Sequence, residues 1–279
     1  MGLTWLLDDK CFDENLPELK DELTRQNIKY ITGEYRPFGQ PIEWSGSSNL
    51  DEEIFKNNNF GPYFAYGSLQ FAKKIKRVGP KVEVWCNLEQ FACNYYYPRL
   101  SKYLFNQDHA FLPYGELIDK EEWVFKTFGV DNCVFMRPNS GFKEFTGQVY
   151  EKKYWKGMIE LSNTQIQPED LVVVSKPQVV PLEYRVIIGP NGPITSSCTH
   201  MFGKLDVARP MPGEEQYVFS FVEKVLDKIY YSPDPFWVMD VVMDNKNNLS
   251  IMEVNSMSCS GFYKCDLSKI VGAIKEYFE

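Results

Sequence analysis

The segment LSIMEVNSMSCSGF, residues 249 to 262, carries a carboxylate and an amide two positions apart, at Glu253 and Asn255. On a strand, residues i and i+2 point to the same face. The apolar neighbours mark the strand as buried, so two oxygen-bearing side chains share a protected face. Asp240 lies in FWVMDVVMD, the strand before it, and NKNN between them reads as a hairpin turn. With the turn centred near residues 245 and 246, Asp240 falls opposite roughly Ile251, one pairing step from Glu253. Three oxygen donors on one patch form a ligand set for a hard cation such as Mg2+. The alternative is a set of buried polar groups bonded to backbone. Burying two carboxylates on apolar strands without a cation is costly, and that cost favours the metal.

Mg2+ held by one or two carboxylates usually shares its coordination with substrate phosphates, so the cations upstream matter. Arg137 ends the strand CVFMRP, and Lys143 follows in the loop NSGFKEFTG, between Gly141 and Gly147. Lys176 ends LVVVSK, and Arg185 lies on EYRVIIG, with Glu183 nearby on the opposite or an offset face. Each cation alone is explained by a salt bridge to a neighbouring acid. Four of them, taken with the acidic cluster, are what phosphoryl transfer requires: charge neutralisation and positioning.

The elements that must position these residues change character along the chain. The first part alternates strands and helices: a helix over LPELKDELTRQ (16–26), strands at IKYIT (28–32), YFAYGS (63–68) and VEVWC (82–86), and a mostly irregular stretch over 33–60. The YFAYGS strand runs through a Gly-Ser turn into the helix SLQFAKKIKR, a corner that either welcomes an anion at the helix N-terminus or is a plain βα turn. NLEQFACNYYYPRLSKYL (87–104) reads as a helix kinked at Pro98, and ELIDKEEWVFKTFG (116–129) as a helix closed by Gly129. From about residue 131 strands dominate, ending in the hairpin and a C-terminal helix LSKIVGAIKEYF, which implies α+β layering.

Bulk properties narrow the function. The 279 residues suffice for one large or two modest domains with a real core. A net charge of −8 argues against nucleic acid as a general partner, since such binding neutralises phosphates with Lys and Arg. KKIKR at 73–77 is read as the solvated face of a helix. The seven cysteines include no C-x-x-C pair, and only His109 and His200 are present, so a structural zinc site is not expected. An odd cysteine count without a secretion signal fits reduced thiols in the cytoplasm, the host's if the source is viral. No stretch is long and apolar enough to span a bilayer.

In order, these motifs are strand-Arg-Pro-loop-Lys, VVVSKP, Glu-x-Arg, Asp, and Glu-x-Asn. That order resembles the nucleotide-binding half of ATP-grasp enzymes, over about residues 131 to 270. It is most similar to the branch common in phages and bacteria, in which Arg stands where many relatives have Lys on the first strand. The resemblance implies an ATP-grasp fold, two α+β subdomains gripping ATP over 131–279, preceded by an N-terminal α/β pre-ATP-grasp-like domain over 1–130. It also implies roles. Arg137 and Lys143 would contact ATP phosphates, and Val174, Ser175 and Lys176 would form the hinge whose backbone reads adenine. Glu183 would bind ribose, and Arg185 would lie near the γ-phosphate or the reacting carboxylate. Asp240, Glu253 and Asn255 would hold Mg2+. Two departures stand out: NSGFKEFTG is poorer in Gly and Ser than many such loops, and Lys176 stands where many relatives have an acid.

The implied chemistry is ATP-dependent ligation of a carboxylate to an amine through an acyl phosphate, with small molecules or peptides as substrates. A nucleotide sensor or scaffold, and a small-molecule kinase, are the alternatives on the same ATP site. Tyr66, Gly67, Ser68, Asn87 and the run Ser256 to Tyr263 are expected to border the acceptor. Cys259 is read as packing or cleft lining rather than a nucleophile. The oligomeric state is not legible.

Overall fold

A computed structural model describes residues 2–12, 15–45, 62–79, 81–142, 144–161, 166–201 and 204–279. Of the irregular stretch expected over 33–60, positions 46–60 lie outside the described residues. Among those described, the chain forms three sheets.

The N-terminal sheet has the order β3-β2-β1-β4-β5, from β1 (Thr4–Asp8), β2 (Lys29–Glu34), β3 (Glu43–Trp44), β4 (Tyr63–Tyr66) and β5 (Val82–Glu83). β1 pairs in parallel with both β2 and β4, and β4 pairs in parallel with β5. Helix α1 (Leu16–Arg25) connects β1 to β2, and α2 (Leu69–Val78) connects β4 to β5. Leu16, Leu19 and Leu23 recur at helical spacing and are the buried residues of α1. β1 and β4 are buried along nearly their whole length, as strands covered on both faces must be.

The second sheet has the order β6-β9-β7-β8, from β6 (His109–Pro113), β7 (Cys133–Pro138), β8 (Gln148–Glu151) and β9 (Leu171–Ser175). Every pair is antiparallel. Helices α4 (Glu121–Phe128) and α5 (Trp155–Leu161) supply Val124, Phe125, Phe128, Trp155 and Ile159 to its core, against Val134, Met136, Val172 and Val174. Residues 109–128, which the sequence reading groups with the N-terminal domain, therefore pack in this unit.

The third sheet has the order β12-β11-β10-β13-β14, from β10 (Leu182–Gly189), β11 (Gly192–Met201), β12 (Lys204–Ala208), β13 (Trp237–Met243) and β14 (Leu249–Ser256). Period-2 alternation sorts its faces. Tyr184, Val186 and Ile188 of β10 and Trp237, Met239 and Val241 of β13 enter one core, with α3 (Cys93–Leu100) and α6 (Pro212–Lys228). Ile187 and Val238 enter another, which α1, α7 (Leu267–Phe278) and the N-terminal sheet complete.

Two helices are shorter than their sequences suggest. Residues 87–92 form turns, and α3 begins only at Cys93, because Asn139 caps it there: its carbonyl accepts from Cys93 N at 2.7 Å, and its Oδ1 from Asn94 N at 2.7 Å. Likewise a 3-10 turn over Tyr114–Glu116 precedes α4. No helix among the described residues is long and apolar enough to cross a membrane.

Candidate functional site

The expected hairpin forms, and its turn follows from local chemistry. The Asp244 carboxylate accepts from Lys246 N at 2.7 Å and Asn248 N at 2.8 Å, while Asn247 takes the left-handed φ of 62° that asparagine tolerates. The register differs from the expected one. Val241 pairs with Ile251, but Asp240 pairs directly with Glu253, because Met252 is extruded in a β-bulge. An unbulged ladder would set Met252 opposite Asp240 and turn Glu253 and Asn255 toward the core that takes Met239. The bulge instead lets Ile251 and Val254 both enter that core, and it returns Glu253 and Asn255 to the face of Asp240.

Arg185 shares that face. It is the cross-strand partner of Asp240, and its Nε and Nη2 donate to the two carboxylate oxygens at 2.9 and 2.8 Å. Its Nη1 donates to the carbonyl of Gly261 at 3.1 Å. Arg137, from β7 in the facing subdomain, donates Nη2 to Glu253 Oε2 at 2.6 Å. Asn255 lies between the carboxylates, its Nδ2 2.9 Å from both Asp240 Oδ2 and Glu253 Oε1. Burial opposes the charge of Arg185, but Asp240 outweighs it and holds the guanidinium above its usual pKa. Arg137 behaves alike: burial opposes its charge, and Cys93, Tyr96, Glu253 and Tyr97 more than compensate. Both arginines are thus permanent cations, 11% and 12% exposed at their side chains.

The donor set suits a hard cation. The carboxylates of Asp240 and Glu253 converge on one amide group, and a half-turn of that amide exchanges Nδ2 for Oδ1. With Asp240 held at both oxygens by Arg185, the three side chains would supply part of the octahedral oxygen shell of Mg2+.

The other expected residues lie further off. Val174 is buried in the core of the second sheet, and Ser175 is buried between His109 and Phe135 of the flanking strands. The backbone therefore leaves the sheet only at Lys176, whose ammonium lies 3.2 Å from Asp108 and is largely exposed. Glu183 stands two residues before Arg185 on a regular stretch of the β10–β13 ladder, so the two share a face rather than being offset. Its Oε2 lies 3.3 Å from His200 Nδ1. Lys143 lies outside the described residues. In its loop, Ser140 Oγ donates to Glu144 Oε1 at 2.6 Å, and the Lys73 ammonium covers the Phe142 ring at 3.4 Å.

A cavity of about 310 Å³ opens beside this cluster, with Arg137, Arg185 and Asn255 on its wall together with Ser140 and Gly141 of the β7–β8 loop. Ser256, Cys259, Ser260, Gly261 and Tyr263, from the run expected to border the acceptor, line this cavity, and the N-terminal domain contributes Phe12, Leu69 and Leu88 to it rather than residues 66–68 and 87. Cys259 lines the cavity with its Sγ 3.8 Å from that of Cys86. The Gly-Ser corner holds no free anion site, because the Asp8 carboxylate already takes Ser68 N at 3.1 Å and Ser68 Oγ at 2.5 Å. The aromatic wall was not legible in the sequence. Phe12 and Tyr263 carry φ values of 59° and 51°, and no composition signal marks a non-glycine residue for that conformation.

No curated protein matches the chain by sequence. Solved structures match along its whole length. D-cycloserine synthetase DcsG superposes with a TM-score of 0.63 at 11% identity, covering 100% of both chains. N5-carboxyaminoimidazole synthase from Aspergillus clavatus, in complex with ADP and 5-aminoimidazole ribonucleotide, gives 0.64 at 10% identity over 99% of this chain and 77% of that one. D-alanyl-alanine synthetase A from Vibrio cholerae gives 0.59 at 11% identity over 98% and 93%. At such identities the likeness concerns the fold, and the fold is the ATP-grasp fold. A family profile described as an ATP-grasp domain, the second family of its clade, matches residues 120–272, more than half of the sequence. On that match the chain belongs to the ATP-grasp family.

Proposed function

We propose that the protein is an ATP-dependent carboxylate–amine ligase working through an acyl phosphate. The observation that carries this reading is the convergence of Arg137, Arg185, Asp240, Glu253 and Asn255 on one wall between two subdomains. The structural neighbours that make D-cycloserine, D-alanyl-alanine and N5-carboxyaminoimidazole products support it at the level of fold.

Asp240, Glu253 and Asn255 would hold Mg2+, which when bound supplies positive charge next to the transferring phosphoryl group. Arg137 offers a buried cation to the phosphates, and the backbone from Lys176 onward offers donors and acceptors to the adenine. Glu183, on the same face as Arg185, would accept from ribose hydroxyls. The substrate carboxylate oxygen attacks the γ-phosphorus, the bond to the β–γ bridging oxygen breaks, and ADP leaves with that electron pair. The amine nitrogen then attacks the acyl carbon, the acyl C–O bond breaks, phosphate leaves, and the nitrogen gives its proton to water. Arg185 has guanidinium protons left over after pairing with Asp240 and Gly261, and these orient the carboxylate and stabilise the oxyanion of the second step. No protein nucleophile is needed, which agrees with the place of Cys259 as a wall residue.

The test is ADP release by the purified protein with Mg-ATP across pools of carboxylates and amines, with mass analysis of the product. A new amide with stoichiometric ADP is expected. ATP binding without ADP release in any pool would leave a nucleotide sensor, and a stable phosphorylated metabolite would leave a kinase.

A further inference from the structure

The cavity beside Arg185 reaches past the polar cluster into the N-terminal sheet, and the topology explains why it does. In that sheet β1 is central, and the connections from β1 through α1 and from β4 through α2 leave on opposite sides. The crevice beyond the carboxyl ends of β1 and β4 is therefore a topological switch point, where open α/β sheets bind ligands. Phe12 follows β1, Leu69 opens α2 after β4, and Leu88 follows β5; all three line the cavity.

Such a crevice often receives an anion at the adjoining helix N-terminus, but here Asp8, only 3% exposed, fills that position. The anionic end of a ligand is thus directed to Arg185, across the cavity. The side chains that the N-terminal domain presents to the crevice are apolar, Phe12, Leu69 and Leu88, while Ser140, Asn255, Ser256 and Ser260 stand elsewhere on the wall. Phe12 stacks on Tyr66 at 5.0 Å, and Tyr263 lies over the Arg185 guanidinium at 4.9 Å. Both rings hang from left-handed backbone, which is unfavourable for a bulky residue. Asn15 braces the arrangement: its Nδ2 donates to Tyr263 O at 2.9 Å, and its own N–H donates to Phe12 O at 2.9 Å. Two strained aromatic residues, tied together through Asn15 from opposite ends of the sequence, thus stand on the wall of one cavity, and Phe12 packs on the core behind it as well.

We infer that this cavity is the pocket of the acceptor acid, and that it takes a carboxylic acid with an apolar, ring-sized body, its carboxylate at Arg185 and its body between Phe12, Leu69, Leu88 and Tyr263. The inference rests on the ligase reading above and adds the substrate class. A pocket of about 310 Å³ has room for a small ligand, and its wall joins apolar side chains for the body to Arg137, Ser140, Arg185, Asn255, Ser256 and Ser260, which fix its orientation.

The full chain is assayed with Mg-ATP and hydroxylamine as the amine, reading hydroxamate and ADP. Three pools are compared: aryl and branched-alkyl monocarboxylates such as 3-phenylpropionate, small hydrophilic acids such as glycolate, and dicarboxylates such as succinate. The expected result is a kcat/KM at least about 10-fold higher for the apolar acids, the discrimination a hydrophobic pocket supplies. Leu69→Asp should remove at least about 10-fold of that value through KM for the acid, with KM for ATP unchanged. Leu69 occupies the first helical position after the Ser68 cap, where an acid is well tolerated. Should that variant not fold, Leu88→Asn is read in the same way. Hydroxamate formed preferentially from the hydrophilic acids or dicarboxylates overturns the substrate class and leaves the ligase reading standing. No hydroxamate and no ADP from any pool overturns the ligase reading and this inference with it.

Discussion

Arg185 on β10 and Asp240 on β13 are direct cross-strand partners, and the guanidinium grips both carboxylate oxygens at 2.9 and 2.8 Å. Asp240 is fully buried, so this pair is at once an anchor of the sheet and the back wall of the candidate site. Breaking a buried pair by removing one partner leaves an uncompensated charge. Arg185→Ala is therefore expected to lower unfolding stability by about 3–5 kcal/mol. Arg185→Ala with Asp240→Asn should recover part of that loss. Urea unfolding of both variants checks it; equal stability of the single and the double variant would contradict the pairing argument.

Glu253 and Asn255 are coupled through one amide, but neither carries the fold. Glu253→Gln keeps an acceptor for Arg137, and Asn255→Ala removes only the bridge between the carboxylates. Each is expected to lower Mg2+-dependent ATP turnover by at least about 100-fold. Circular dichroism should show both variants folded, with the thermal midpoint of Glu253→Gln lowered because Arg137 loses its charged partner. Turnover near the wild-type value in both variants would contradict the assignment of these residues as metal ligands.

Asp234 supplies a pH dependence unrelated to catalysis. Burial raises its carboxyl to about 7, although it accepts from Asn87 N at 3.0 Å. Its folded pKa lies above the unfolded value, so the protonated form is the one the fold favours. That contribution is fully present below about pH 4 and is lost as pH rises through about 7. Asp234→Asn, which keeps the acceptor for Asn87, should match the wild type in stability near pH 4. Above pH 7 it should exceed the wild type, by at most about 4 kcal/mol. Chemical unfolding at pH 4, 6 and 8 measures the difference.

Gly67 is needed for a close approach at the switch point. A Cβ there would overlap Asp8 Cβ and lie 3.2 Å from Asp8 N. Since Asp8 holds both Ser68 groups, it has no room to retreat. Gly67→Ala is expected to cost at least about 1–3 kcal/mol, as overpacking does. Gly213→Ala, at a position with nothing within 4 Å, should be close to neutral. Thermal unfolding of the two variants side by side makes the comparison.

Much of this molecule was readable from residue types and period alone. The apolar neighbours in VMDVV and SIMEVN, the Asn-rich turn between them and the ordered cations upstream pointed to β13, β14 and the charged cluster. Strand period and turn chemistry are local properties, and a local pattern survives without knowledge of the rest of the chain. The short strands β8 and β12 were missed for the same reason. β8 has an exposed face and only Tyr150 buried, and β12 has no fully buried residue, so neither carries a hydrophobic signal.

Three things were decided only by the tertiary structure. The bulge at Met252 sets which face Glu253 and Asn255 occupy, because it is fixed by how Ile251 and Val254 pack into one core. The pairing of Arg137 with Glu253 joins residues 116 positions apart, and it exists because two sheets meet there. The aromatic wall is assembled from Phe12 and Tyr263, at opposite ends of the chain. Side-chain type and spacing determine which groups can do chemistry; the closure of distant loops around a shared core determines which groups meet, and no sequence window spans that distance.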